Sequence, residues 1–206
     1  MKLFNSSKPY QTIRTIILPA LCLLLAGLLS VPVTADAEEK KLLADLKTGN
    51  HAALLRHALA PGVGDPENFS LGDCTSQRNL SAAGRRQAAA IGMKFREAGL
   101  VDAELYTSQW CRCIETARLM GFGEPVELPV LNSFFRDYGR QESQTEQLVN
   151  WLSSKDLSQP VILVTHQVNI TALSGVYPES GEIILIRRNT NGTFEVTARI
   201  PTEKTP

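Results

Sequence analysis

Short apolar runs alternate along this chain with segments of mixed apolar and polar residues. The clearest run is 161–165, and a second short run begins at His51 and continues to Ala58. Runs of this length that are apolar throughout and bounded by turn residues are typical of strands covered on both faces. Further strands are predicted at residues 104–108, 125–131, 182–187 and 194–200.

Helical periodicity lies between these runs. Ser81 is the predicted N-cap of a helix whose apolar stripe continues to Phe95 and ends before Gly99. Further helices are predicted at residues 38–47, 111–120 and 145–154. Strands that alternate with helices predict an α/β fold, with layered helices around a mostly parallel sheet.

Two segments lack any such periodicity. Residues 61–77 are rich in Gly, Pro, Asp, Asn and Ser, and a loop of this length is typically functional or mobile. Residues 132–142 are polar and aromatic, and we expect Phe134 and Phe135 to pack in the core. Together these segments are the parts of the sequence expected to determine the substrate.

The N-terminus has the pattern of a secretory signal peptide. Three basic residues precede an apolar run from Ile16 to Leu29, which is too short to span a bilayer comfortably. Ala35 and Ala37 have the spacing of a cleavage site, so residues 1–37 are predicted to be removed, with an uncleaved anchor as the alternative. The mature protein is then predicted to be periplasmic or secreted, without a stable membrane span.

Residues 38–206 are predicted to form a single domain, because no repeat or linker divides them. Removal of residues 1–37 leaves 18 basic and 20 acidic residues, a formal charge of −2. A nearly neutral domain argues against nucleic acid as a partner, while a local positive pocket for a small anion is still allowed. The sequence makes no prediction of oligomeric state.

The mature chain has three cysteines, and an oxidising compartment permits a disulfide between two of them. We expect Cys74 to pair with either Cys111 or Cys113. The spacings of Cys and His that are typical of structural zinc sites do not occur in the sequence.

Polar residues follow the predicted strands where ligands bind in open α/β sheets. Arg56 and His57 end the first apolar run, and His166 follows the run 161–165. Ser108 ends the strand at 104–108, and Arg112 lies in the first turn of the next helix. These residues are therefore predicted to meet at one edge of the sheet.

The chemistry of this group indicates a site for a phosphoryl group. A planar guanidinium can contact two phosphate oxygens at once, and a helix N-terminus offers free N–H groups. Two Arg and two His together carry more positive charge than a buried cleft accepts without an anion. His51 begins its strand and is expected to be structural or exposed.

Four segments carry a resemblance to the histidine phosphatase superfamily, also called the phosphoglycerate mutase-like family. Leu55–Ala58 is similar to its Arg-His-Gly motif, and Asn79–Ala88 to its Leu-Thr-x-x-Gly-x-x-Gln-Ala helix. Ser108–Ala117 matches its Ser-x-x-x-Arg-x-x-x-Thr-Ala segment, and Val164–His166 its second histidine strand. They occur in family order over nearly the whole mature chain, which implies a phosphoglycerate mutase-like fold.

The resemblance implies a mechanism. His57 would attack phosphorus and become a phosphohistidine, which water then hydrolyses. Arg56, Arg112 and His166 would bind the non-bridging oxygens and stabilise their charge. Neither a metal nor another cofactor is expected, since these groups supply the positive charge. Arg78, Asn79 and Ser108 are further candidates for contact with the substrate.

The chain departs from the family pattern in several places. Ala58 replaces the usual Gly, and Val63 stands where the mutase branch has Asn. Ser133 and Gln167 occupy the two positions that usually hold the acid that protonates the leaving group.

Asp65 and Asp137 are the alternative proton donors, ranked equally, with Glu142 a further loop carboxylate. The absence of an acid at the usual positions makes mutase chemistry improbable and favours hydrolysis of activated or small phosphate esters.

The resemblance and the signal pattern together predict an exported, metal-independent phosphomonoesterase. Phosphorylated sugars of the cell envelope are one class of substrate, since lipopolysaccharide core heptose phosphatases resemble this chain in being small and exported. The alternative is a protein that binds phosphate esters in the same pocket without turning them over.

Overall fold

A computed structural model describes residues 35–203 of the protein. In this part of the chain five helices and six strands follow one another in the order α1 Ala35–Ala44, β1 His51–Arg56, α2 Ala82–Glu97, β2 Glu104–Thr107, α3 Cys111–Met120, β3 Val126–Glu127, α4 Gln141–Ser154, β4 Val161–Thr165, α5 Gln167–Ser174, β5 Ile183–Arg188 and β6 Phe194–Ile200. Short 3₁₀ turns lie at Asp45–Lys47, Cys74–Ser76, Pro129–Leu131 and Tyr138–Arg140.

The strands form one sheet in the order β3-β2-β4-β1-β5-β6. The first four in that order are parallel, while β5 and β6 are antiparallel additions at one edge. The predicted α/β fold with a mostly parallel sheet is therefore confirmed. Arg56 lies opposite Thr165, and Thr107 lies opposite Val164, so that β1, β2 and β4 end at the same edge.

The core lies on both faces of the sheet, which explains why the central strands are apolar throughout. Successive side chains of a strand point to opposite faces, and β1 follows this rule. Ala53 and Leu55 pack with residues of α1, α2 and α3, whereas Ala52 and Leu54 pack with residues of α4 and α5. Strand β4 is buried at every position.

Helix α2 packs against the chain that follows β1. Ser81 is its N-cap, as predicted, and accepts a hydrogen bond from the Gly84 amide at 3.0 Å. A Cβ atom on Gly84 would lie 2.1 Å from the Leu59 carbonyl oxygen, so that only glycine allows this approach. Gln87 accepts a hydrogen bond from the Leu59 amide at 2.9 Å. Gly84, by its close contact, and Gln87, by its hydrogen bond, thus fix the position of Leu59, two residues after His57.

The structure differs from the sequence-based expectations in three elements. Helix α5 was not predicted, because its eight residues follow a buried strand directly and mix apolar with polar residues. Helix α4 begins at Gln141, four residues before its predicted start, because Gln141–Gln144 carries no apolar stripe. Strand β3 has only two residues, both exposed, and continues into a 3₁₀ turn.

A disulfide joins the loop at 61–77 to helix α3. Cys74 bonds Cys111, the first residue of α3, with a Cα–Cα distance of 5.6 Å. This confirms the expectation of one bridge from Cys74 and decides between its two possible partners. Cys113 is free and buried, and burial raises the pKa of its thiol to about 12. The thiol is therefore in its neutral, unreactive form.

The predicted signal peptide lies largely outside the described residues, which begin at Ala35. Its proposed cleavage position, after Ala37, falls within helix α1. Within residues 35–203, no helix has the length and apolar character required to cross a bilayer.

Candidate active site

A cavity of about 320 Å³ opens where β1 and β4 end. Its inner wall is formed by the four residues for which a catalytic role is predicted, namely Arg56, His57, Arg112 and His166. The sequence therefore correctly predicts that these side chains lie together, since each one ends a parallel strand or begins the following helix.

His57 is held in one orientation by the chain that follows it. Its Nδ1 atom lies 2.8 Å from the Ala58 carbonyl oxygen, to which it can only donate. The proton therefore lies on Nδ1, and Nε2 carries the free lone pair. Nε2 makes no hydrogen bond to any other residue in the described part of the chain. The Ala58 amide in turn donates to Thr116 Oγ1 at 3.0 Å, which ties this turn to helix α3.

His166 faces His57 across the inner wall, with 5.6 Å between the ring centroids. Its Nδ1 atom lies 3.4 Å from Nη2 of Arg112, which can only donate, so that Nδ1 accepts. Its Nε2–H therefore donates to Ser108 Oγ at 2.8 Å, and the serine hydroxyl donates onward to Asn132 Oδ1 at 3.2 Å. This chain of hydrogen bonds fixes the tautomer of His166.

Arg112 is buried and forms a bidentate ion pair with Asp65. Nη1 donates to Oδ1 at 2.7 Å and Nη2 to Oδ2 at 3.1 Å. The carboxylate accepts two further hydrogen bonds, from the Arg78 amide and from Trp110 Nε1, each at 3.1 Å. The side chains are only 3% and 11% exposed, so that this pair is a fixed part of the site.

Two buried guanidinium nitrogens in this wall, Nε of Arg56 and Nε of Arg112, have no hydrogen-bond partner among the described residues. Arg56 donates from Nη1 to the Pro178 carbonyl at 2.8 Å, and Arg112 uses both Nη atoms for Asp65. An unpaired buried N–H is costly. An anion in the cavity is the partner that this chemistry favours.

Arg78 lines the cavity and also holds the loop at 61–77. Its Nε donates to the Gly64 carbonyl at 2.7 Å, and its Nη1 donates to the Ala60 carbonyl. Burial and the neighbouring charge of Arg112 lower the pKa of Arg78 to about 10, so the side chain is still a cation at neutral pH. Its predicted contact with substrate stays a prediction.

Ser108 and Asn79, which were also predicted to contact the substrate, lie outside the cavity lining. Ser108 is fully buried behind His166 and orients that ring, so its hydroxyl is not part of the cavity wall. The Asn79 amide donates to the carbonyls of Cys74 at 2.6 Å and Gln77 at 3.1 Å, and so fastens the loop. Neither side chain lines the cavity, and a contact of either one with substrate stays a prediction.

The two candidate proton donors lie in different environments. Burial alone would raise the pKa of Asp65, but the hydrogen bonds and charge of Arg112 outweigh it, so the pKa lies below its ordinary value. Asp65 is thus held as an anion by four donors. Asp137 is exposed at the outer rim of the cavity.

Several wall residues were not predicted from the sequence. Trp110 packs edge-on against His166 with 5.3 Å between the ring centroids, and Phe69 stacks on Trp110 at 5.1 Å. Phe135 was expected in the core but is 41% exposed and lines the cavity, while Phe134 is buried as expected. Phe69 and Phe135 lie in the two irregular segments, whereas Trp110 directly precedes helix α3.

The charge balance of the wall favours an anionic ligand. Five guanidinium groups and two carboxylates line the cavity, since Arg78, Arg136 and Arg140 join the two arginines of the inner wall. Among residues 35–203, no three side chains of the His, Cys, Asp or Glu type are grouped so as to hold a metal ion.

Both cavity histidines are held neutral. Burial lowers the pKa of His57 well below its ordinary value, and the positive charge of Arg112 lowers it further. The pKa of His166 is lowered in the same way by burial, Arg112 and His57. A neutral His57 with its lone pair on Nε2 is a nucleophile at neutral pH.

These shifts predict a pH dependence of stability. The unfolded chain binds protons on both imidazoles near pH 6.5, whereas the folded protein does so only at lower pH. We therefore expect the free energy of unfolding to decrease below about pH 6.5, with a slope that approaches roughly 2.7 kcal/mol per pH unit for the two groups together. Urea denaturation in phosphate-free buffers between pH 7 and 5 measures this slope. His57→Asn should remove about half of it, and an unchanged slope in that variant would contradict a buried neutral His57.

Comparisons with known proteins agree with this geometry. Residues 53–150 match the family model for the histidine phosphatase superfamily (branch 1). None of the curated proteins compared with this chain matches it at a significant level.

Solved structures with similar folds have low sequence identity. Mycobacterial glucosyl-3-phosphoglycerate phosphatase is 15% identical with a TM-score of 0.52, covering 73% of this chain and 98% of its own. The protein of the Mycobacterium tuberculosis open reading frame Rv3214 is 17% identical with a TM-score of 0.54, covering 74% of this chain and 98% of its own. A phosphoserine phosphatase variant from Entamoeba histolytica is 14% identical with a TM-score of 0.50, covering 75% and 98%. At these identities the likeness concerns the fold.

The matched segment contains β1 with His57 and helix α3 with Arg112, and the second histidine follows β4 at the same edge of the sheet. Over this segment the chain is similar to the histidine phosphatase superfamily (branch 1).

Proposed function

We propose that this phosphatase hydrolyses phosphate monoesters through a phosphohistidine on His57. The observation that carries the proposal is the orientation of His57, whose Nδ1–H is bonded to the Ala58 carbonyl while Nε2 is free in a cavity lined by arginines. A neutral imidazole fixed in this tautomer is ready to attack phosphorus without a separate base.

The reaction has two steps. In the first, Nε2 of His57 forms a bond to phosphorus as the ester P–O bond breaks, and the leaving oxygen departs as an anion that takes a proton from solvent water. In the second, water attacks phosphorus and gives a proton to the solvent, the N–P bond breaks, and inorganic phosphate leaves with His57 restored. Arg56, Arg112 and His166 bind the three non-bridging oxygens, where negative charge is greatest in the transition state.

Positive charge for this transition state comes from the protein itself. Arg56 and Arg112 both line the cavity, while the end of the Arg112 guanidinium stays with Asp65. A bound dianion also favours the protonated form of His166, because an adjacent negative charge raises the pKa of an imidazole. We therefore expect the reaction to proceed without an added metal.

Export is part of the proposal. The N-terminal pattern of charge and hydrophobicity supports it, and the disulfide between Cys74 and Cys111 fits an oxidising compartment. Small phosphate esters outside the cytoplasm, including phosphorylated sugars of the cell envelope, would then be within reach of the enzyme.

Hydrolysis of p-nitrophenyl phosphate tests the proposal, since this leaving group departs with little need for a proton. We expect the mature domain to release p-nitrophenol at the same rate with and without EDTA. Rapid acid-free quenching during turnover of a radiolabelled phosphate ester should trap label on the protein, and this label should be stable to base and lost in acid. A folded protein that binds vanadate but shows no turnover between pH 5 and 8 would instead support the phosphate-ester binding protein.

A further inference from the structure

The cavity has an inner and an outer part with different chemistry. The inner part is the cationic wall around His57 and His166. The outer part carries the apolar side chains Val63, Phe69, Trp110, Phe135 and Tyr177, beside the charged Arg136, Asp137 and Arg140. Val63, Phe135 and Tyr177 are 87%, 41% and 66% exposed. Large apolar side chains that are exposed around a polar centre are typical of a surface that binds a partner group.

Aromatic rings lead outward from the reacting centre. Trp110 contacts His166 edge-on at an interplanar angle of 77°, and Phe69 stacks on Trp110 at 19°. The Trp110 indole N–H is held by Asp65, so that the position of this ring is fixed before any ligand enters. A flat group bonded to a phosphate held by the inner wall would lie beside these rings.

The loop that carries this surface is fastened at several points. Arg136 donates to the carbonyl of Pro66 at 3.1 Å and also to that of Asp65, and Arg78 holds the Gly64 carbonyl. The disulfide of Cys74 ties the far end of the loop to helix α3. An outer wall that is ordered in advance loses little conformational entropy when it binds a rigid group.

The cavity offers no carboxylic acid ready to protonate a leaving group. Its two lining carboxylates are Asp65 and Asp137. Asp65 has both oxygens occupied by four donors, and its ion pair with Arg112 keeps it ionised. Asp137 is exposed at the rim. A substrate hydrolysed quickly here therefore has a leaving oxygen that departs without a proton from such an acid.

We propose that the preferred substrates are phosphate monoesters of aromatic alcohols, with the ring in the outer part of the cavity. The inference rests on the proposed function and names its substrate class. A phenol, with a pKa of about 10, is a far better unprotonated leaving group than an aliphatic alcohol, whose pKa is closer to that of water at about 15.7. The aromatic wall and the engaged Asp65 are separate observations that favour the same class.

Binding is tested apart from leaving-group chemistry by phosphonates, which the enzyme cannot hydrolyse. We expect benzylphosphonate to inhibit hydrolysis of p-nitrophenyl phosphate at least about tenfold more strongly than methylphosphonate. Phe135→Ala should reduce this ratio by about three- to tenfold. Tyr138→Ala is the matched control, since this neighbouring exposed ring does not line the cavity and should leave the ratio unchanged. Equal inhibition by the two phosphonates would overturn the proposal.

Steady-state hydrolysis of different esters tests the leaving-group part of the proposal. We expect kcat/KM for phenyl phosphate to exceed that for ethyl phosphate and for glucose 6-phosphate by at least about 10²-fold. Asp65→Asn should lower kcat/KM for phenyl and ethyl phosphate by the same factor, because it disturbs Arg112 and not the leaving group. A selective loss with ethyl phosphate in Asp65→Asn or Asp137→Asn would identify that residue as a proton donor and contradict the inference.

The outcomes separate this inference from the proposed function. Faster hydrolysis of glucose 6-phosphate than of phenyl phosphate would leave a working phosphatase and remove only its aromatic preference. An absence of turnover with every ester, in a protein that binds phosphate, would remove the proposed function itself.

Discussion

Replacing His57 with alanine is expected to lower hydrolysis of p-nitrophenyl phosphate by at least about 10³-fold, because no other described group can take the place of Nε2 at phosphorus. The ring makes one hydrogen bond, to the Ala58 carbonyl, so we expect the fold to be retained. Steady-state release of p-nitrophenol in the presence of EDTA measures the loss, and circular dichroism verifies the fold.

His51→Ala is the matched control for this variant. His51 begins the same strand, and its Nδ1 atom contacts the Gly49 carbonyl at 2.8 Å, away from the cavity. This variant should keep its full activity. Activity in His57→Ala that is comparable to that of the unchanged protein would show that His57 is not the nucleophile.

Replacing Arg112 with alanine is expected to lower kcat/KM by about 10²- to 10³-fold, the usual effect of removing one donor from a developing phosphate charge. The same change leaves Asp65 buried without its main partner, at a cost of roughly 3–5 kcal/mol in the free energy of unfolding. Activity assays and urea denaturation measure the two effects separately.

The double variant Arg112→Ala with Asp65→Asn distinguishes catalysis from stability. Because an amide carries no charge, we expect this variant to recover most of the lost stability but none of the lost activity. Recovery of activity together with stability would mean that Arg112 supports the fold and does not hold phosphate.

The meeting of the residues with proposed catalytic roles could be predicted from the sequence because parallel strands align their ends. Arg56 and His57 end β1, and His166 follows β4, the strand that pairs with β1 in register. Arg112 is the second residue of α3, the helix that follows β2. Continuous apolar runs and helix caps are local signals, so β1, β2, β4, β5, β6, α2 and α3 could also be predicted, whereas β3 is much shorter than expected.

The outer part of the site could not be predicted in this way. The ion pair of Asp65 with Arg112 joins residues 47 positions apart, and its carboxylate comes from a loop without periodicity. Nothing local distinguishes buried Phe134 from exposed Phe135, because the segment that carries them is neither helix nor strand. The hydrogen bonds of Ser108 to His166, and of Asn79 to the carbonyls of Cys74 and Gln77, likewise form only in the folded chain, so the sequence does not reveal them.

The bond between Cys74 and Cys111 has a consequence for when the enzyme becomes active. Cys111 directly precedes Arg112, and the loop that ends near Cys74 carries the Asp65 that orients this arginine. In a reducing compartment this disulfide would be reduced, and the positions of Asp65 and Arg112 would be less well fixed. A chain in which this disulfide has not yet formed would therefore be a poorer catalyst than the oxidised protein.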